Sequence, residues 1–305
     1  MDRNSVSWKG YIPAITTTFD EQGELDAGGM RELLRWYLQE GMHGVVTLGT
    51  QGEWFNMRYE EKYEVMSVVS EEMKGKCTII AGCNDFSVDG VVRNAAAAEE
   101  LGFDGMLLSA PPYMKPTERE IYEFYKAVSE RVNLPVCVYN WPPGTNVDMS
   151  FELLDKLADL DKVVAIKNST PNLHHFINVF SKLRHKVKVF GIPISELGLA
   201  LMQQPNADGM MGAGGVLGKD QPDFFNHIWN GRYRDALELS RKDNYLMNAF
   251  FHADYTGKFG SAQAIFKAAL NLQGLPGGHV RKPLLDLKDD GVAIVRATLE
   301  ELGRL

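Results

Sequence analysis

Residues 163–167 read VVAIK, an unbroken apolar run that ends on a lysine. A run without alternation between apolar and polar residues is typical of a parallel strand buried on both faces. Seven further runs of this type are YIPAIT (11–16), GVVTLG (44–49), CTIIAG (77–82), GMLLS (105–109), PVCVY (135–139), VKVFG (187–191) and ADGMMG (207–212). The sequence therefore predicts eight buried parallel strands.

Helical patterns lie between these runs. Apolar residues recur at helical spacing from Leu33 to Leu38, and good helix formers fill residues 91–101 and end at Gly102. Strand and helix alternating eight times predict an α/β fold, the (β/α)₈ TIM barrel. The alternative is an open doubly wound sheet, which normally has a glycine-rich first turn, and TTTFD (16–20) contains no glycine. The barrel is therefore favoured.

Residues 221–305 contain no strand candidate. Helical patterns occupy residues 224–229, 236–250, 262–272 and 292–302. We therefore expect a barrel over residues 1–220 and a C-terminal helical extension, packed on the barrel, over residues 221–305.

Charge and cysteine content exclude several classes of protein. The chain has 32 Lys and Arg against 40 Asp and Glu, a net charge of −8, which argues against binding to nucleic acid or to an anionic membrane. Cys77, Cys83 and Cys137 show no CxxC spacing, and neither a signal peptide nor an apolar run of ~18 residues is evident. We expect a cytoplasmic protein with reduced cysteines.

Active sites of such barrels lie at the carboxyl ends of the strands, and Lys167 ends the sixth strand candidate. An ordinary lysine amine is neutral in only roughly one molecule in 2,500 at pH 7. Apolar surroundings lower its pKa, so that it can attack a carbonyl carbon and form a Schiff base. The other interpretation is a lysine paired with a glutamate in the barrel wall.

Tyr139 ends the neighbouring strand candidate, about one strand spacing (~5 Å) from Lys167, where a phenol could move protons. Tyrosine is also common where strands meet solvent. The loop GTQGE (49–53) follows the second strand, and its glycines would let backbone N–H groups approach a ligand carboxylate. This makes Thr50 and Gln51 candidate binding residues.

Other motifs are weaker. The glycine-rich segment GAGGVLG (212–218) predicts close-packed backbone that lines the substrate pocket, with Gly212 and Gly214 as binding residues. The alternative is a phosphate-binding loop, but Asp220 stands where a Walker motif needs Ser or Thr. His174 and His175 are adjacent on a helix, so their side chains diverge. We expect neither a metal nor a cofactor.

The chain resembles the dihydrodipicolinate synthase/N-acetylneuraminate lyase family of class I pyruvate aldolases from Tyr11 to about Leu287. The resemblance is carried, in order, by GTQGE (49–53), PPY (111–113), YNWP (139–142), IK (166–167) and RKPL (281–284). It implies that Lys167 forms the Schiff base with a 2-oxo acid and that Tyr139 is the acid/base group. It also implies that Thr50 and Tyr113 complete a proton relay, in which Tyr113 often comes from a neighbouring subunit. The backbone around Thr50 and Gln51 would hold the substrate carboxylate. The resemblance further implies a homotetramer.

The sequence departs from the family in two places. Gln51 stands where a second hydroxyl residue is common, and Gly144 stands where dihydrodipicolinate synthases have an arginine for the carboxylate of the second substrate. A true dihydrodipicolinate synthase is therefore not expected. Trp54 and Trp141 lie near the predicted rim, where they would narrow the pocket, stack on an apolar or cyclic substrate, or pack between subunits.

These features predict a lyase or synthase of the aldolase type that acts on pyruvate or a pyruvate-yielding 2-oxo acid. Dehydration or deamination of a 2-keto-3-deoxy acid is the alternative, since the same iminium supports it. A non-catalytic sensor of 2-oxo acids is a further alternative, although a sensor needs neither Lys167 nor Tyr139.

Overall fold

A computed structural model describes all 305 residues and contains one sheet of eight parallel strands. They are β1 (Gly10–Tyr11), β2 (Gly44–Thr47), β3 (Thr78–Gly82), β4 (Gly105–Ser109), β5 (Val136–Asn140), β6 (Val163–Asn168), β7 (Lys188–Phe190) and β8 (Gly209–Met210). The strand order is β1-β8-β7-β6-β5-β4-β3-β2, and a parallel bridge from Ala14 to Val46 joins the two ends of this series. The sheet is a nearly closed barrel, so the predicted TIM barrel is confirmed and the open sheet is excluded.

Twelve helices accompany the strands. They are α1 (Ala27–Gln39), α2 (Tyr59–Met73), α3 (Val88–Leu101), α4 (Glu118–Ser129), α5 (Pro142–Thr145), α6 (Phe151–Leu157), α7 (Leu173–Leu183), α8 (Glu196–Met202), α9 (Asp220–Trp229), α10 (Tyr233–Phe250), α11 (Ala262–Leu272) and α12 (Asp289–Glu301). Ser150 caps α6 by accepting a hydrogen bond from Leu153 N, and Gly102 ends α3 in the left-handed conformation. None of the helices combines the length and the hydropathy needed to cross a bilayer.

The register between β5 and β6 positions the centre of the site. An irregularity between Val136 and Cys137 shifts the pairing, after which Tyr139 lies opposite Lys167. Side chains two residues apart on a strand share a face, so Cys137 and Tyr139 both point into the apolar interior of the barrel. The lysine and the tyrosine therefore meet at the carboxyl end of the barrel.

The C-terminal helices are present as predicted, and α11 is tied to the loop after β2. Lys267 of α11 is fully buried and forms an ion pair with Glu53 Oε1 at 2.7 Å. Gln263 Nε2 donates to the main-chain oxygen of Thr50 at 2.8 Å. These contacts fix the position of the loop at the barrel mouth, whereas the domain boundary at residue 220 stays a prediction.

Candidate active site

Lys167 lies at the end of β6 with its side chain inside the barrel. It is only 5% exposed, and its Nζ lies 4.3 Å from the centre of the Tyr139 ring. No carboxylate forms an ion pair with this amine, so the interpretation of Lys167 as part of a Lys–Glu pair is wrong. The buried Lys–Glu pair of this chain is Lys267 with Glu53, which leaves the Lys167 amine free to meet a ligand.

The amine faces a cavity of about 560 Å³. Burial lowers the pKa of Lys167 to about 8, and the nearby Cys137 opposes this effect only in part. Burial also raises the pKa of the Cys137 thiol to about 12, so that thiol stays neutral. A lysine in this position is neutral far more often than one in water, which is the requirement for a nucleophilic amine.

Tyr139 is the acid/base candidate beside it. The side chain is 5% exposed, and burial raises the pKa of its phenol, while hydrogen bonding to the side chains of Thr50 and Ser169 lowers that pKa to a smaller extent. The phenol therefore stays protonated at neutral pH and can donate a proton. The structure brings Thr50 beside Tyr139, as the resemblance implies.

The loop after β2 forms one wall of the cavity through Thr50 and Gln51. A side chain at position 52 would have its Cβ 2.9 Å from Leu48 N, so glycine allows the loop to fold back on itself. Gln51 is 7% exposed, and its Oε1 has no hydrogen-bond partner in the protein. A buried acceptor of this kind is available to a ligand.

Two predicted site residues lie outside the cavity wall. Gly212 lines the cavity, but Gly214 does not, because it packs against Phe266 with φ +72° and a Cβ there would collide with the ring. Tyr113 is 93% exposed and has a positive φ of 78°. Within one chain, Tyr113 therefore takes no part in a relay with Tyr139.

Sequence reasoning missed a carboxylate in the cavity. Asp243 of α10 lines the wall and accepts a hydrogen bond from Gln221 Nε2 at 2.9 Å. Burial raises the pKa of its carboxyl to about 6. The signal was present, because Asp243 falls on the buried face of α10 with Ala236, Ser240 and Leu246.

The pKa of Lys167 predicts how the reactivity of this amine toward a carbonyl compound depends on pH. Only the neutral amine attacks a carbonyl, so the rate should rise with pH and level off above about 8. At pH 7 roughly one tenth of the molecules carry the neutral amine, against about one in 2,500 for an ordinary lysine. The rate of inactivation by pyruvate and cyanoborohydride, measured from pH 5 to 10, checks this.

The Asp243→Asn variant tests how much Asp243, the second titrating group of the cavity, contributes to the pH dependence expected from Lys167. Asparagine resembles the protonated carboxyl, so the rate of the variant should match the wild type below pH 6 and differ from it only above pH 6, where the wild-type carboxylate is charged, while the midpoint stays near 8. A wild-type midpoint near 10.4, the value of a solvated lysine, would contradict the assignment.

Fold and site together define a class, the (β/α)₈ barrels with a desolvated lysine at the carboxyl end of the sixth strand. The model of the dihydrodipicolinate synthetase family matches residues 7–302. The chain therefore belongs to this family of class I aldolase-type lyases and synthases, and the resemblance inferred from the sequence is confirmed.

Individual relatives match along their whole length. A 4-hydroxy-tetrahydrodipicolinate synthase of Gluconacetobacter diazotrophicus is 30% identical over 310 residues, with 99% of each chain covered. The structure of a dihydrodipicolinate synthase from Thermotoga maritima superposes with a TM-score of 0.88 at 30% identity and covers 98% of this chain and 100% of its own. An Acinetobacter baumannii synthase in complex with pyruvate gives 0.88 at 28% identity, with the same coverage. The sequence predicts that this chain is not a true dihydrodipicolinate synthase. The names of these relatives are evidence against that prediction.

Proposed function

We propose that this protein is a Schiff-base-forming lyase or synthase that acts on pyruvate or on a 2-oxo acid that yields it. One observation carries the proposal: the buried, unpaired amine of Lys167, with a pKa of about 8, faces a cavity at the carboxyl end of the barrel. A purely structural lysine at this depth would need a carboxylate partner, as Lys267 has in Glu53.

The covalent step begins at the amine. Nζ of Lys167 attacks the C2 carbonyl carbon of the 2-oxo acid to give a carbinolamine, which loses water to become an iminium. The iminium accepts the electron pair of the C3–C4 bond when that bond breaks, and it loses a C3 proton when the bond is to form. Either step leaves an enamine. In cleavage the enamine takes up a proton at C3, and in condensation its C3 attacks the carbonyl carbon of the acceptor, whose oxygen takes a proton; both restore an iminium, and its hydrolysis releases the 2-oxo acid and the amine.

Tyr139 moves the protons in these steps. Its phenol, kept protonated by burial, donates a proton as the carbinolamine loses water, and the phenolate takes the C4 hydroxyl proton during cleavage. Thr50 shares this proton through its hydroxyl. The backbone of Thr50 and Gln51 holds the substrate carboxylate, since both residues line the cavity beside Lys167.

The assembly is a homotetramer under this proposal, with Tyr113 of one chain reaching the site of another. The exposure of this tyrosine, 93% in the single chain, supports such a role. Sedimentation analysis tests the assembly, and a monomeric mass would contradict it.

The second substrate differs from that of the synthases named above. Gly144 offers no side chain to bind a carboxylate, and the cation of the cavity other than Lys167, Lys258, donates to the main-chain oxygen of Asn248 at 2.6 Å. A lost hydrogen bond to a charged group costs roughly 10- to 100-fold in binding. We therefore infer that aspartate semialdehyde is not the preferred acceptor.

Parallel assays test this assignment. With pyruvate and aspartate semialdehyde we expect kcat/KM to lie about 10- to 100-fold below that of the Thermotoga maritima synthase, measured as the control. A screen of hydroxylated 2-oxo acids should give pyruvate release rather than loss of water or ammonia. Turnover of aspartate semialdehyde equal to that of the control synthase would overturn the assignment of a different acceptor. If the screen gave only loss of water or ammonia, the reaction would be an elimination and not a cleavage.

A further inference from the structure

An aromatic stack borders the outer part of the cavity. The indole of Trp141 lies nearly parallel to the Tyr139 ring, with the ring centres 6.0 Å apart and an angle of 14° between the planes. The Tyr255 ring follows at 6.4 Å from Trp141 and is tilted by 31°. All three side chains line the same cavity as Lys167, so a flat, π-rich surface leads outward from the reactive amine.

The chain holds Trp141 in this place through its local backbone. Gly144 N and Thr145 Oγ1 both donate to the main-chain oxygen of Trp141, at 3.1 and 3.0 Å. A Cβ at position 144 would lie 2.5 Å from the indole nitrogen. The position of the indole therefore requires glycine at position 144, because a side chain there would displace the ring.

Tyr255 is held at the tip of a short loop. The bridge between Phe251 and Gly257 and the hydrogen bond from His252 N to Thr256 O at 2.9 Å close this loop. Tyr255 has a φ of 67°, which is rare for a bulky residue and occurs where the surroundings impose it. The loop thus directs an aromatic ring toward Trp141.

Further apolar side chains line the same cavity, among them Pro193, Ile194, Met210, Met247 and Phe251. The lining also contains polar side chains such as Asn244, Asn248 and His252. Methionine sulfur and aromatic rings make favourable contacts with planar aromatic groups, and stacked rings prefer offset arrangements. The exposed aromatic residues Phe55, Phe86 and Tyr113 lie outside this wall, so the stack belongs to the cavity rather than to a general aromatic surface.

We infer that the Tyr139–Trp141–Tyr255 stack is a subsite for an aromatic ring on C4 of the substrate, so that the reaction joins or separates a 2-oxo acid and an aryl aldehyde. This inference rests on the proposed function. In cleavage, the C3–C4 electron pair moves into the iminium to leave an enamine, the C4 hydroxyl proton passes to Tyr139, and the aryl aldehyde departs. Protonation of the enamine at C3 and addition of water then release pyruvate.

Condensation of pyruvate with benzaldehyde and with D-glyceraldehyde tests the subsite. The wild type should favour benzaldehyde by about tenfold or more in kcat/KM. Trp141→Ala should lower kcat/KM for benzaldehyde roughly ten- to hundredfold, the value of burying one ring, and leave D-glyceraldehyde nearly unchanged. Trp141→Phe should restore most of the loss, Tyr255→Ala should act in the same direction, and Tyr233→Ala, an exposed tyrosine of α10, should have no effect.

Trapping of pyruvate by borohydride separates this inference from the function on which it rests. All of these variants should form the Lys167 adduct at the wild-type rate. A wild type that forms the adduct but does not prefer benzaldehyde would overturn the subsite alone, as would equal losses for both aldehydes or dissociation of the assembly in Trp141→Ala. A wild type that forms no adduct would overturn the proposed function, and the subsite with it.

Discussion

Replacing Lys167 with methionine is expected to lower turnover by a factor on the order of 10⁴ or more, because no other group can supply the covalent nucleophile. Methionine keeps most of the volume of the lysine stem and adds no charge to the buried site. Since burial disfavours the charged amine, as its lowered pKa shows, the variant should also fold at least as stably as the wild type. Steady-state turnover and thermal unfolding together check this.

The matched control is Lys182→Met, which changes an exposed lysine of α7. This variant should keep full turnover and should still form the pyruvate adduct. If Lys167→Met retained more than about one hundredth of the wild-type turnover, covalent catalysis through this residue would be contradicted.

Replacing Tyr139 with phenylalanine is expected to lower turnover by about 10²- to 10⁴-fold, the usual contribution of a general acid/base. The ring that packs between Lys167 and Trp141 is kept and only the hydroxyl is lost. The lysine can still capture pyruvate, so the borohydride adduct should form, but more slowly. Turnover and adduct formation, measured on the same preparation, check both parts.

Tyr37→Phe controls for the loss of a buried hydroxyl. The hydroxyl of Tyr37 donates to the main-chain oxygen of Gly214 at 2.7 Å, and Tyr37 does not line the cavity. Its removal should cost about 1–3 kcal/mol of unfolding free energy and leave turnover intact. Equal turnover losses in the two variants would show that Tyr139 acts only through packing.

The sequence predicted those parts of the site that depend on the strands. The apolar runs locate β5 and β6 to within a residue at each end, and the barrel rule then places Tyr139 and Lys167 at the same edge. Thr50, Gln51 and Gly212 follow from the same rule, because each lies two to four residues after the carboxyl end of a strand.

The remaining parts depend on contacts between distant segments. Gly214 was wrongly placed in the wall because the packing of Phe266 against it, fifty-two residues later in the chain, has no local signal. Asp243 and Tyr255 enter the cavity through the docking of α10 and the loop after it onto the barrel. Spacing along α10 shows that Asp243 is buried, but it does not show which cavity the residue faces.

The proposed function requires that Lys167 captures a 2-oxo acid covalently. The most direct test is to incubate the wild-type protein with pyruvate and sodium borohydride and then to locate the mass increase by peptide mapping. We expect one reduced pyruvate per chain, on the peptide that contains Lys167, and none in the Lys167→Met variant. An unmodified protein under conditions that label a control aldolase, or an adduct on another lysine, would contradict it.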